Sequence, residues 1–87
     1  MGVHRRSIES YHELLDEGTI NDKQFKVAAA LAEMGPASNR EIARHLGWDI
    51  NRVTGRMTEL RYKGYVEEHS SKYDSETNRL VTTWKCT

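Results

Sequence analysis

Gly47 is the residue that most constrains what this chain can fold into, because it separates two short segments that each carry the marks of a helix. Ser38 opens the first with the reciprocal pattern Ser38-x-x-Glu41: the serine oxygen accepts a backbone N–H of the first turn, and the glutamate reaches back to the cap. Ala37 and Ile42 form a weaker hydrophobic staple around it, and Ile42, Ala43 and Leu46 make the stripe expected to be buried. Asp49 is the expected cap of the second segment, where Ile50, Val53, Met57 and Leu60 lie within about 80° on a helical wheel. Gly47 supplies the left-handed backbone that a sharp turn needs, and Gly64 closes the second helix. Two helices joined this closely can only pack at a steep angle.

The flanks complete one small domain. A first helix is expected from about Ser7, its cap, to Glu17, with Ile8, Tyr11 and Leu15 at helical spacing and Gly18 as its end. In the second helix Asn21 is the cap, Gln24 completes a capping box, and Ile20 and Phe25 occupy the staple positions. Val27, Ala28–Ala30, Leu31 and Met34 give it a surface others can approach closely, and Gly35-Pro36 stops it. After Gly64 the chain reads as a hairpin, Tyr65–His69 and Leu80–Lys85 around a polar loop. The expected fold is mainly α with a small β-hairpin (α+β), in the order helix-helix-helix-turn-helix-hairpin. At 87 residues it is a single domain, 1–87, divided into an N-terminal helix (1–18), a helix pair (38–63) and a hairpin (65–86).

Such a helix pair is the helix-turn-helix unit, whose second helix enters the major groove of DNA. Ala43, Gly47 and Val53 stand at the spacings that helix-turn-helix motifs favour: a small residue for close crossing, a turn glycine and a branched plug. The late apolar position of the motif would fall on Arg56, with Met57 as the core residue instead. The segment from Ser38 to Glu68 resembles the winged-helix families, and the run Leu60–Glu67 is similar to the lead into the first wing strand of MarR-like regulators. Residues 51–60, with Thr77-Asn78-Arg79 and Trp84, resemble small phage- and prophage-type winged-helix proteins. The resemblance covers roughly residues 20–86 and implies a winged helix-turn-helix that binds DNA.

Charge has a distribution that its total hides. Thirteen basic residues balance thirteen acidic ones, yet residues 38–64 hold six basic against three acidic side chains. A neutral chain can therefore still present a basic face. If the apolar stripe of the last helix faces the core, the opposite direction carries Asn51, Gly55, Glu59 and Tyr62, with Arg52 and Thr58 flanking. The first turns penetrate deepest, so Asn51, Arg52 and Gly55 are the expected base readers: Asn bonds adenine, Arg bonds guanine, and Gly55 lets the axis approach unless it is a tolerated surface glycine. Ser38, Asn39, Arg40, Arg44, Thr54, Arg56, Thr58 and Tyr62 are the candidates for phosphate or flanking contacts. For Arg44 a solvated face is an equal alternative, and for Arg56 a salt bridge with Glu41 or Glu59. Glu59 would repel phosphate unless it accepts from cytosine or pairs with Arg52 or Arg56, and Arg61 reads as structural. Lys72 and Tyr73 on the wing tip (70–78), with Arg79 at its base, make supporting contacts diluted by Asp74 and Glu76.

His4, His12, His45, His69 and Cys86 have no metal-ligand spacing, and no nucleophile, base and orienting group occur together. Neither metal nor cofactor nor enzymatic activity is expected, and no small-molecule ligand is evident. No apolar run suits a signal peptide or membrane span, and one cysteine fits a reducing compartment, so the prokaryotic or phage-infected host cytoplasm is the default. The expected partner is double-stranded DNA, bound by a small transcriptional regulator. A homodimer through Ile8, Tyr11, Leu14 and Leu15 of the first helix would read two half-sites. The alternative is a protein-interaction adaptor in a replication, recombination or transcription assembly.

Overall fold

Two reciprocal caps start the central helices where the sequence places them. The computed structural model describes residues 8–87. Asn21 Oδ1 accepts from Gln24 N at 2.8 Å while Asn21 N donates to Gln24 Oε1 at 2.9 Å, and Ser38 and Glu41 repeat the arrangement at 3.2 and 2.9 Å. The elements are α1 (Ile8–Asp16), α2 (Asp22–Met34), β1 (Ala37–Ser38), α3 (Asn39–Leu46), α4 (Ile50–Tyr62), β2 (Val66–Asp74) and β3 (Arg79–Cys86). The proposed cap Ser7, and His4, lie outside the described residues.

Gly47 adopts φ 72°, its N–H donates to Arg44 O, and Trp48 N donates to Ala43 O at 2.9 Å. These bonds satisfy the last carbonyls of α3 and swing the chain directly into α4. Ile42, Ala43, Val53, Met57 and Leu60 are buried with Val27, Ala28 and Leu31 of α2, so α2, α3 and α4 share one core. Met57, 1% exposed, is the late core residue, and Arg56 is not. Leu46 is only half-buried.

The sheet is larger than a hairpin. Its order is β1-β3-β2, with β1 antiparallel to β3 through Ala37↔Trp84 and Ser38↔Thr83. A two-residue strand has no periodicity to read, so β1 left no sequence signal. The wing strands also run further than expected: β2 continues through residues 70–74, and the loop shrinks to 75–78. That ribbon projects into water on both faces, so its side chains lack the apolar alternation that marks a half-buried strand. A bulge between Glu68 and Ser70 interrupts the register, and Thr83 bridges it, its hydroxyl donating to Ser70 O at 2.9 Å and accepting from Ser70 N at 3.2 Å.

Part of the surplus apolar surface expected on α1 is absorbed by this core, and Ile8 stays outside it. Tyr11 is fully buried and donates to Tyr65 O at 3.2 Å, and Leu14 and Leu15 pack against the same cluster. Among the described residues the large apolar side chains left exposed are Met34, Tyr62, Tyr73 and Leu80, none of them on α1.

Candidate nucleic-acid interface

The core stripe of α4 fixes which of its sides remain open. Val53, Met57 and Leu60 point inward, and the side facing α2 is closed by a polar cluster. Arg56 donates from Nε and Nη2 to the two oxygens of Glu59, each at 2.8 Å, and Gln24 Nε2 donates to Glu59 Oε1 at 2.8 Å. The Arg56 guanidinium first, then Gln24, hold the Glu59 carboxyl down at about 2. Glu59 is thus a tie between α4 and the capping glutamine of α2, and it leaves the open face. The wheel put Glu59 on that face and left open its pairing with Arg56, which is the arrangement found; the bond from Gln24 comes from a second helix that a wheel of one helix does not include.

Asn51, Arg52, Thr54, Thr58, Arg61 and Tyr62 make up the exposed side, with Tyr62 87% exposed at its far end. Asp49 Oδ2 accepts from Asn51 N at 3.2 Å and so caps the turn from which this side begins. Thr54 and Thr58 donate to the carbonyls of Ile50 and Thr54, each at 3.0 Å. Gly55 is half-buried, and a Cβ built there meets nothing within 4 Å, so internal packing does not demand a glycine.

Across from this side stands the wing. Asn39, Ile50 and Thr54 face Arg79, Leu80, Thr82 and Trp84 over an open cleft, and a second recess continues it past Thr58, Arg61 and Tyr62. Asn39 Nδ2 donates to Thr54 Oγ1 at 3.4 Å, whereas its buried Oδ1 has no partner among the described residues. Arg61 is not directed to the core: it is exposed and its guanidinium lies 5.5 Å over the Trp84 ring, as Arg52 lies 5.4 Å over Trp48. No spacing in the sequence signals the Arg61–Trp84 contact, because only the fold brings β3 beside the end of α4.

Most of the other candidate cations are engaged with carboxylates, and Lys63 donates to Thr19 O at 2.7 Å. Arg40 Nε lies 3.2 Å from Asp74, Arg44 pairs with Glu76, and Lys72 with Glu41. Lys72 is the main reason, ahead of the Ser38 N–H, that the Glu41 carboxyl is held below its ordinary range. Tyr73 donates to Asn78, and Ser38 is buried at the start of α3. Arg52, Arg61 and Arg79 have no carboxylate within ion-pair distance among the described residues, and they surround the exposed side of α4. The structure therefore divides the basic segment into cations used internally and two arginines, Arg52 and Arg61, open to a partner, with Arg79 of the wing as a third beside them.

The sequence model of the family described as winged helix-turn-helix DNA-binding matches residues 20–67, more than half of the chain. The chain belongs to that family. No curated protein matches it in sequence. Among solved structures, this winged helix-turn-helix domain is similar to reduced AbfR bound to DNA, with a TM-score of 0.67 and 25% identity over 88% of this chain and 53% of that one. Overoxidized AbfR bound to DNA gives the same TM-score and identity, and covers 54% of that chain. NMB1585, a MarR family regulator from Neisseria meningitidis, shares the fold at TM-score 0.62 and 18% identity, over 91% of this chain and 53% of its own. The domain spans about half the length of these proteins.

Proposed function

We propose that this winged helix-turn-helix domain binds double-stranded DNA with α4 in the major groove, as a transcriptional regulator acting by occupancy rather than catalysis. The observation that carries the reading is an exposed side of α4 cleared of carboxylate, because Glu59 is tied to Arg56 and Gln24 while Arg52, Arg61 and Arg79 stand around it. The likeness to two structures of AbfR bound to DNA supports it. Asn51 and Arg52 are the base readers, and the open space at Gly55 lets the helix axis approach. Asn39, Thr54, Thr58 and Tyr62 contact the backbone at the flanks, and Arg79 leads the wing contacts, whereas Ser38, buried and engaged at both its N–H and its hydroxyl by Glu41, leaves the set expected from the sequence. Arg61 is added to the phosphate set, and Arg56 is assigned to holding Glu59.

One such domain covers few base pairs, so two copies on two half-sites are the arrangement with useful affinity. With Tyr11 buried in the core and Leu14 and Leu15 packed against it, that pairing draws less support from α1 than its sequence suggested. Sedimentation with and without DNA tests it, and a monomer in both conditions would overturn it. No helix among the described residues is long and apolar enough to cross a membrane. The proposed DNA-bound role implies a cytoplasmic location.

A gel-shift titration across salt tests DNA binding. Expected are measurable affinity at low salt, a log–log slope of about −0.9 per phosphate engaged, and loss on Arg52→Ala. Absence of binding even at low salt would favour the protein-adaptor reading instead. Selection from random duplexes then yields the half-site and, from its symmetry, the number of copies bound.

A further inference from the structure

Resting on that DNA-binding reading, we propose that the wing tip is an internal anion latched onto α3, which the DNA backbone must displace to reach Arg40 and Arg44. The two arginines project from the same outward side of α3 at i, i+4 spacing. Glu76 spans both, pairing with Arg44 and lying 3.6 Å from Arg40 Nη1, while Asp74 sits 3.2 Å from Arg40 Nε. Lys72 on β2 answers with Glu41 on α3, so the contact is two-way. Every outward cation of α3 outside His45 is thereby matched by a wing carboxylate.

The carboxylates are held in place by the turn that carries them. Asp74 Oδ1 accepts from Glu76 N at 3.0 Å and its Oδ2 from Thr77 Oγ1 at 3.2 Å, while Asn78 N donates to Asp74 O at 2.7 Å. Asp74 is the fixed member, its side chain 13% exposed, and Glu76 the releasable one, 52% exposed against an Arg44 that is 61% exposed. Exposed ion pairs shift an equilibrium by a factor of about five at most. A pair of this strength cannot block a phosphate, which is a comparable partner for Arg44, but it taxes each contact and biases the wing toward α3 until DNA arrives. The latch therefore sets how steeply affinity and wing position depend on salt.

Fluorescence anisotropy with a labelled mixed-sequence duplex of about three helical turns tests this, from about 50 to 200 mM salt. Glu76→Gln is compared with Glu13→Gln, which changes charge equally but lies on α1 away from the wing. Glu76→Gln is expected to tighten binding about threefold more than Glu13→Gln and to steepen the salt slope by about 0.9. Arg44→Ala is then expected to cost about threefold more in the Glu76→Gln background than in the unaltered chain, because in the unaltered chain the phosphate contact is partly offset by the ion pair that it replaces. Arg44→Gln replaces it if a circular dichroism melt shows that the alanine variant does not fold. Equal costs of Arg44→Ala in both backgrounds, or equal effects of Glu76→Gln and Glu13→Gln, would overturn the latch while leaving DNA binding intact. Failure of every variant and the unaltered chain to bind at low salt would overturn the DNA reading and the latch with it.

Discussion

At Glu59 two donors from different helices converge on one carboxylate, and its titration is the most direct residue-scale signature of the fold. Its folded value of about 2 lies below the ordinary carboxylate value of about 4.3, so its contribution to stability is present above the ordinary value and lost as pH falls toward 2. The side chain is 41% exposed, so solvent screening limits that contribution to about 1 kcal/mol. Denaturant unfolding of Glu59→Gln should show a deficit of that size at neutral pH that shrinks below the ordinary carboxylate range and vanishes only as pH falls through about 2. At Asn51 and Arg52 the stakes lie in recognition. Asn51→Ala and Arg52→Ala should each cost about 1–3 kcal/mol on the selected site, with little change in thermal stability, as anisotropy and calorimetry together would show. A destabilised Arg52→Ala would assign the residue to its Trp48 contact instead.

Two glycines separate structural from functional demand within the helix-turn-helix. Gly47 holds φ 72° with no atom near its missing Cβ, so Gly47→Ala strains only the backbone, costing about 1–2 kcal/mol. Gly55 is helical with the same empty space, so Gly55→Ala should gain up to about 1 kcal/mol from helix propensity while weakening DNA binding. Thermal melts and anisotropy on the pair would show opposite signs in stability; a Gly55→Ala variant with unchanged affinity would make it a tolerated surface glycine. What the sequence made legible at this scale was local. The capping boxes of Asn21 and Ser38, the turn at Gly47 and the stripe Val53-Met57-Leu60 all fall within a few residues and follow helical geometry. What escaped was contact between distant segments: Gln24 on Glu59, Trp84 under Arg61, Glu76 on Arg44, and β1 on β3. The exposed wing escaped for a further reason, since a ribbon wet on both sides needs no alternation.

For the whole molecule, net charge of zero is reconciled with a basic face by spending carboxylates inside the structure, on Arg40, Arg44, Arg56 and Lys72. β3 has a further bearing on how the molecule comes into being. It is the one strand paired on both sides among the described residues, and it contributes Cys86 to the core and Thr83 to the bulge. A chain truncated after Asn78 would leave Ala37, Ser38 and β2 without their neighbour, and its urea unfolding should lose the single cooperative transition expected of the full domain. On the ribosome the same dependence sets a schedule. The helices emerge before the wing and can pair early, but the sheet that orients the wing waits for residues 79–86, so competence to grip DNA arrives only once β3 has been synthesised.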